Sequence, residues 1–245
     1  MNKLPNPNDF KTFKMELAKS IKFDDVVDYD LSQIISQLQP LPKAQISKII
    51  DVEILKSNPN TIEILKQFVK WNDYYKSVVI VLQDVTVAIH RADGIKWKTY
   101  GSKKFIQHKI KDNFIFVVYG MAEILLCEIL ELSYIAFQSD SIVKTLETNE
   151  QWQNEIKPNL NGKNIFLLLD NDESCEATIK PIEKELKRVF PISMMDLHIM
   201  EIAFLYGGTL KKELPKGYDF RDWCNDVKDV AKIENILKET IRGIL

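Results

Sequence analysis

The stretch Asn164-Ile165-Phe166-Leu167-Leu168-Leu169-Asp170-Asn171-Asp172 does most to narrow what this chain can fold into. An apolar run of this length, closed by carboxylates and followed by a helix-like segment, reads as a strand buried on both faces of an α/β sheet. In an extended backbone residues two apart point the same way, so Asp170 and Asp172 present two carboxylates to one hard cation such as Mg²⁺. Open α/β sheets bind their ligands beyond the carboxyl ends of their strands, which makes this strand end the first candidate site.

The segments on either side repeat the pattern. Phe114 to Val118 is a second buried-strand run, Tyr119-Gly120 a sharp turn, Met121 to Leu132 a helix, and Tyr134 to Phe137 another strand. A helix is expected from about Glu176 to Val189, capped by Ser174 or Asp172, then a fourth strand within Ile192 to Leu197 and a terminal helix near Val230 to Ile244. This βαβ order implies a mostly parallel sheet with helices on both faces. Val78 to Leu82 and Val85 to His90, around the polar pair Gln83-Asp84, predict a β-hairpin.

Residues 1–76 read as a small helical segment. Phe10, Phe13, Leu17 and Ile21 recur at helical spacing after Asn8 and Asp9. Ile34, Ile35 and Leu38 mark a second helix stopped by Pro40 and Pro42, and a third is expected over Ile46 to Leu55. Asn60 with Glu63 gives a capping-box start for a helix through Val69. The expected organisation is a helical subdomain over 1–76 and an α/β domain over 77–245, the latter with its lead-in hairpin and C-terminal helix.

With 245 residues and 45% hydrophobic content the chain can bury a sizeable core. Its net charge of -2 and pI near 6.0 mean that contact with nucleic acid needs a local patch. Such a patch is present: Arg91, Lys96, Lys98, Lys103, Lys104, Lys109 and Lys111 stand against the single acid Asp93, interleaved with Trp97, Tyr100 and Phe105. Cations that meet phosphates beside rings that stack on bases suit single-stranded DNA; a hairpin edge protected by lysines is the competing reading. Cys127, Cys175 and Cys224 are odd in number and lack CxxC spacing, which disfavours a disulfide framework or zinc ribbon and fits a reducing cytoplasm. No apolar run suggests a signal peptide or reaches membrane-spanning length, so a soluble, cytoplasmic protein without membrane contact is expected. His90, His108 and His198 lack metal-ligand spacing, and no Walker A, GxGxxG or nucleophile-elbow motif occurs.

Three elements then stand in order: Tyr119-Gly120 with Glu123 one turn on, Asp170-Asn171-Asp172, and Lys216-Gly217-Tyr218-Asp219 with Asp222. Together they resemble the Toprim domain of bacterial primases, topoisomerases and certain nucleases, over roughly residues 78 to 227. Arg91-Ala92-Asp93-Gly94-Ile95-Lys96-Trp97-Lys98, with Gly101-Ser102-Lys103-Lys104, looks like the lead-in to this domain in plasmid- and phage-type primases.

The resemblance implies a Toprim-like sheet and metal-dependent nucleotidyl or phosphodiester chemistry with Mg²⁺ or Mn²⁺. It implies Asp170, Asp172, Asp219 and Glu123 as metal ligands, with Glu123, Asp170 and Asp172 as the catalytic acids. Lys96, Trp97, Lys98, Lys103 and Lys104 are expected to guide the strand, and the short chain suggests a replication partner. In one respect the sequence departs from the family: the Glu before the glycine is Tyr119 here, and a phenol of pKa about 10 cannot replace a carboxylate that binds metal or shuttles protons at neutral pH. Asp172 is followed by Glu173-Ser174-Cys175, where the family often has glycine. The alternative function is therefore a catalytically impaired accessory or DNA-binding protein of a replication or mobile-element system. A receiver-like domain phosphorylated on Asp170 ranks third, because no lysine stands at a matching strand end.

Overall fold

In the computed structural model the described residues are 31–42, 45, 50–57, 61–73, 76–83, 85–89, 98–205 and 213–245. The helix expected at Phe10 to Ile21, and residues 90–97 with Lys96 and Trp97, lie outside them. Residues Leu31–Leu245 form one compact unit. It contains two five-stranded sheets.

The first sheet is antiparallel throughout, in the order β1 (Gln39–Pro40), β2 (Val69–Asn72), β3 (Ser77–Leu82), β4 (Thr86–Ile89) and β5 (Lys98–Gly101). The expected hairpin is its centre, with Ile80 opposite Ala88 and Val81 opposite Val87. Every residue of β3 is buried, because both faces of the sheet are covered. Val79, Val81 and Val87 face α1 (Leu31–Ser36) through Leu31, Ile34 and Ile35. Val78, Ile80, Leu82 and Ala88 face the main core with α2 (Val52–Ser57) and α3 (Thr61–Phe68). The helix begun at Thr61 stops at Phe68, and the chain turns into β2 because Val69 to Asn72 pair with Ile80 to Ser77.

The second sheet has the order β10-β9-β7-β8-β6. Its strands β7 (Phe114–Tyr119), β8 (Tyr134–Phe137), β9 (Asn164–Leu169) and β10 (Val189–Ser193) run parallel, and β6 (Ile106–Lys109) closes one edge antiparallel to β8. The fold is thus α/β, but the mostly parallel sheet expected from sequence is corrected: a wholly antiparallel sheet stands beside a mixed one. β10 also begins earlier than expected, because Val189 to Ser193 pair with Ile165 to Leu169.

Helices cover both faces of the mixed sheet, and strand alternation sorts the core accordingly. Phe116, Val118, Ala136, Phe166 and Leu168 join α4 (Met121–Ile129), α7 (Met194–Leu205), α8 (Phe220–Val227) and α9 (Val230–Ile244), in the same cluster as Ile80 and Leu82. Ile115, Val117, Tyr119, Ile135, Phe137, Ile165 and Leu167 pack against α5 (Asp140–Val143), the turns around Trp152 and Ile156, and α6 (Glu173–Glu185). The main core therefore runs without a break from the antiparallel sheet into the mixed one. Among the described residues no helix is long and apolar enough to cross a membrane.

Candidate acidic site at the strand ends

Within the parallel strands the sequence order is second, first, third, fourth across the sheet, so successive connections leave β7 and β9 in opposite directions. The crevice between these two strands, at their carboxyl ends, is the topological switch point where doubly wound sheets take ligands. Each of the two strands delivers an acid there.

β7 ends in Gly120, whose φ of 114° and ψ of 169° lie in a region that essentially glycine alone enters. Its N–H donates to the Phe137 carbonyl at 2.8 Å, tying the tip of β7 to that of β8. The chain then enters α4, which is buried along its whole length, so Glu123 in its first turn is 5% exposed. The Glu123 carboxyl lies against the Gly120 Cα, in the space a Cβ would fill. Its proton affinity is pushed up to about 8, first by burial and then by the Asp219 charge, with Asp170 adding to it; Arg221 and its own backbone N–H act in the opposite sense.

Asp170 follows β9 on the parity of Phe166 and Leu168, which places it on the α4 and α8 side of the sheet. Burial, then Asp219, Asp140, Asp172 and Asp222, raise its pKa to about 7. The strand expected to carry Asp172 onto the same face has already ended. The Asp172 N–H donates to the Asp170 carbonyl at 2.7 Å, so the backbone turns there and the two-residue alternation no longer applies.

Asp219 comes from far along the chain and is brought in by a lacing of hydrogen bonds around Asn171. The Asn171 N–H donates to the Tyr218 carbonyl and the Gly217 N–H to the Asn171 carbonyl, both at 2.8 Å. The Asn171 side-chain amide donates to the Leu214 and Pro215 carbonyls at 2.8 and 2.9 Å. Asp219 then caps α8, accepting from the Asp222 N–H at 2.8 Å. The helix is held down by its apolar face, where Phe220, Trp223, Cys224 and Val227 are buried and Phe220 stacks on Trp223 at 5.9 Å. Burial raises the Asp219 pKa while the Arg221 guanidinium opposes it.

Three of the four expected ligands, Glu123, Asp170 and Asp219, are thus brought within electrostatic reach of one another; Asp172 stands at the margin. Asp140, just after β8, raises Asp170 more than Asp172 does and was not singled out as an acid of this site. Its signal was its position at the next strand's carboxyl end. As they stand, no three Asp, Glu, His or Cys side chains among the described residues are grouped closely enough to hold a metal ion. The donors fit a hard divalent cation in kind, being carboxylate oxygens whose mutual repulsion a cation would relieve. Beneath them the Cys127 and Cys224 thiols are buried, and desolvation pushes both pKa values well up, which keeps them protonated.

Tyr119, beside the glycine that ends β7, points to the opposite face. Its hydroxyl is 2.9 Å from Thr178 Oγ1 on α6, and its ring stacks on Phe137 with centroids 6.0 Å apart. Of the expected strand-guiding residues, Lys103 and Lys104 are exposed on the loop between β5 and β6. The Gln138 amide at the end of β8 donates to the Ser102 and Phe105 carbonyls at 3.1 and 3.0 Å, and Asn149 Nδ2 to the Lys104 carbonyl at 3.2 Å. These bonds fasten the basic loop at the same end of the sheet as the acids. Lys98 lies in β5 opposite Ile89.

Compared with known proteins, the chain matches no protein-family model, no curated protein and no solved structure.

Proposed function

We propose that the chain is a Toprim-like protein of nucleic-acid metabolism, primase-like in its chemistry. Its acidic site would take Mg²⁺ or Mn²⁺ for nucleotidyl transfer or phosphodiester cleavage on single-stranded DNA. One observation carries this reading: Glu123, Asp170 and Asp219, from three separate elements, come within electrostatic reach of one another near the switch point of the parallel strands β7 to β10. Burying acids together costs stability, and a fold that does so without a site to serve is disfavoured.

Asp170 and Asp219 would hold the cation, with Asp172 beside them and Glu123 beneath. A bound divalent cation supplies charge neutralisation at the phosphoryl oxygens. Glu123, whose proton affinity burial and the Asp219 charge raise in the metal-free chain, would lie on the floor of the site within reach for proton transfer. Asn171 fixes the distance between the Asp170 and Asp219 backbones, and Gln138 holds Lys103 and Lys104 where an incoming backbone would pass.

A second reading, an accessory DNA-binding protein with impaired catalysis, is favoured by Tyr119, whose hydroxyl is engaged by Thr178 on the far face of the sheet. Calorimetric titration of Mn²⁺ into wild type and Asp170→Asn/Asp172→Asn, followed by extension and cleavage assays on single-stranded templates, separates the two. Mn²⁺ binding lost in the double variant together with turnover supports the catalytic reading. Strand binding that survives Asp170→Asn, with no turnover in either protein, selects the accessory one. Absence of both metal and strand binding would remove both.

A further inference from the structure

The basic run divides at β6: Lys103 and Lys104 precede the strand, whereas Lys109 ends it, opposite the first residue of β8, Tyr134. At that far end, by the amino ends of β8 and β9, a cavity of about 430 Å³ is lined by His108, Lys109, Ile110, Asn159 and Lys163, with no acid among them. Its cations are held from behind. The Lys109 ammonium donates to Glu128, whose other oxygen accepts from the buried Tyr134 hydroxyl at 2.8 Å. Lys163 Nζ donates to the Asp112 carbonyl at 2.6 Å, and no carboxylate among the described residues pairs with it. The Asp112 carboxylate itself accepts from the Ser133 hydroxyl at 3.0 Å. An ammonium carries three donors, so each tether leaves donors for the cavity. The cavity also lies on the free edge of the sheet. Ile106 gives both backbone groups to the Gln151 side chain, its N–H to Oε1 at 2.8 Å and its carbonyl to Nε2 at 2.9 Å, and so faces away from β8. His108, two residues on, turns its N–H outward in the same way, and among the described residues nothing takes the place of Gln151 there. The side chains of His108 and Lys109 leave the strand on opposite faces, so the lining wraps around this edge.

We propose that this cavity binds a small phosphate monoester, its phosphoryl oxygens between Lys163, Lys109 and the outward N–H of His108 and its organic part against Ile110 and Asn159. Lys163 supplies the charge that no carboxylate offsets, while Lys109, shared with Glu128, and the strand-edge N–H supply direction. An unpaired edge N–H is a donor that an anionic oxygen satisfies. The donors are separate points and not a planar fork, which suits the several oxygens of a phosphoryl group better than the coplanar pair of a carboxylate. The volume falls within the roughly 300–1,000 Å³ of small-molecule sites and leaves room beyond the phosphoryl group itself. This cavity is at the opposite end of the mixed sheet from Asp170 and Asp219, so the inference stands independently of what those acids do.

The test uses the full chain as wild type, Lys163→Met and Lys163→Arg. Phenyl phosphate, inorganic phosphate and benzoate are titrated calorimetrically at one ionic strength. Phenyl phosphate is expected to saturate wild type, to bind more tightly than inorganic phosphate, and to outbind benzoate by about tenfold. Lys163→Met is expected to weaken phenyl phosphate by about tenfold, the loss of one charge-assisted bond, and Lys163→Arg, which keeps the charge, by about threefold at most. In ¹H–¹⁵N spectra of wild type the His108 backbone amide proton should move downfield as phenyl phosphate is added. Equal affinity in wild type and Lys163→Met, or a His108 amide unmoved at saturation, would overturn the site. Absence of saturable binding by any of the three probes would do the same. Benzoate bound as tightly as phenyl phosphate would overturn the phosphate assignment, and inorganic phosphate bound as tightly would overturn the monoester. If Lys163→Met does not fold, Lys163→Gln and the wild-type amide shift decide the matter.

Discussion

Glu123 and Gly120 depend on each other. The carboxyl of one occupies the space that any side chain on the other would need, and the Gly120 backbone sits where only glycine is comfortable. Gly120→Ala is expected to cost about 1–3 kcal/mol from backbone strain, with steric conflict at Glu123 added, and urea unfolding will measure it. Titration gives a second expectation. Unfolded carboxyls release their protons near about pH 4, whereas in the folded chain Glu123 holds its proton to about 8 and Asp170 to about 7. The folded state binds more protons across that window, so the stability these groups contribute is complete below the unfolded values and is lost as pH rises through about 7 and 8. Thermal melts of the metal-free protein should therefore fall in midpoint across this range, and Glu123→Gln should flatten the fall; an unchanged slope in the variant would show that Glu123 titrates normally. At this scale Asp219, whose capping of α8 is an ordinary structural role, was reached only through the resemblance, while Asp170 was legible because it closes a buried apolar run. Arg221 was not, since a charged residue in an amphipathic helix turn looks like any solvated face.

The element that joins the site together is the short tie between the end of β9 and the segment before α8. Asn171 makes it with its backbone on one side and two side-chain bonds on the other. Asn171→Ala should lose about 1–2 kcal/mol, the net worth of two such bonds, and hydrogen exchange should speed up selectively at Gly217 and Tyr218. An unaltered exchange pattern would mean the segment is held by Tyr218, whose hydroxyl donates to Asp226 at 2.7 Å. Local pattern located most elements well: the terminal helix expected near Val230 to Ile244 is α9 at Val230–Ile244, and β7, β8 and β9 lie where their apolar runs are. It failed where a distant partner decides the outcome. Val69 to Asn72 continue a helical pattern in sequence, yet they form a strand because β3 offers an edge to pair with. Asp172 was assigned to one face with Asp170 on strand geometry that ends at Leu169.

Across residues 31–245 the two sheets are not separate bodies, for Ile80 and Leu82 of one belong to the same core as Phe166 and Leu168 of the other. Ile80→Ala, at a fully buried position, should destabilise by about 2–5 kcal/mol. In a Trp71→Phe/Trp97→Phe background, which removes the tryptophan paired with Val78 of β3 and leaves only Trp152 and Trp223 to report, the loss should shift the far-ultraviolet circular dichroism and tryptophan fluorescence transitions together. Two separated transitions would show that the sheets unfold independently. The alternation of strands and helices made an α/β class legible from sequence. Of the second, antiparallel sheet only the central hairpin was, because the other strands are short and spread over residues 39–101.

The tie at Asn171 also sets an order in time. All ten described strands are complete by Ser193, whereas Asp219 and Arg221 follow them in the chain. As the polypeptide leaves the ribosome, Asp170 emerges well before the segment that brings its partner acid. A growing or prematurely ended chain that stops short of Leu214 lacks both anchoring carbonyls and the third carboxylate. Such a product carries the described strands of both sheets in full and still lacks Asp219 beside Asp170, so the acids come together only after the segment through Asp219 has been made.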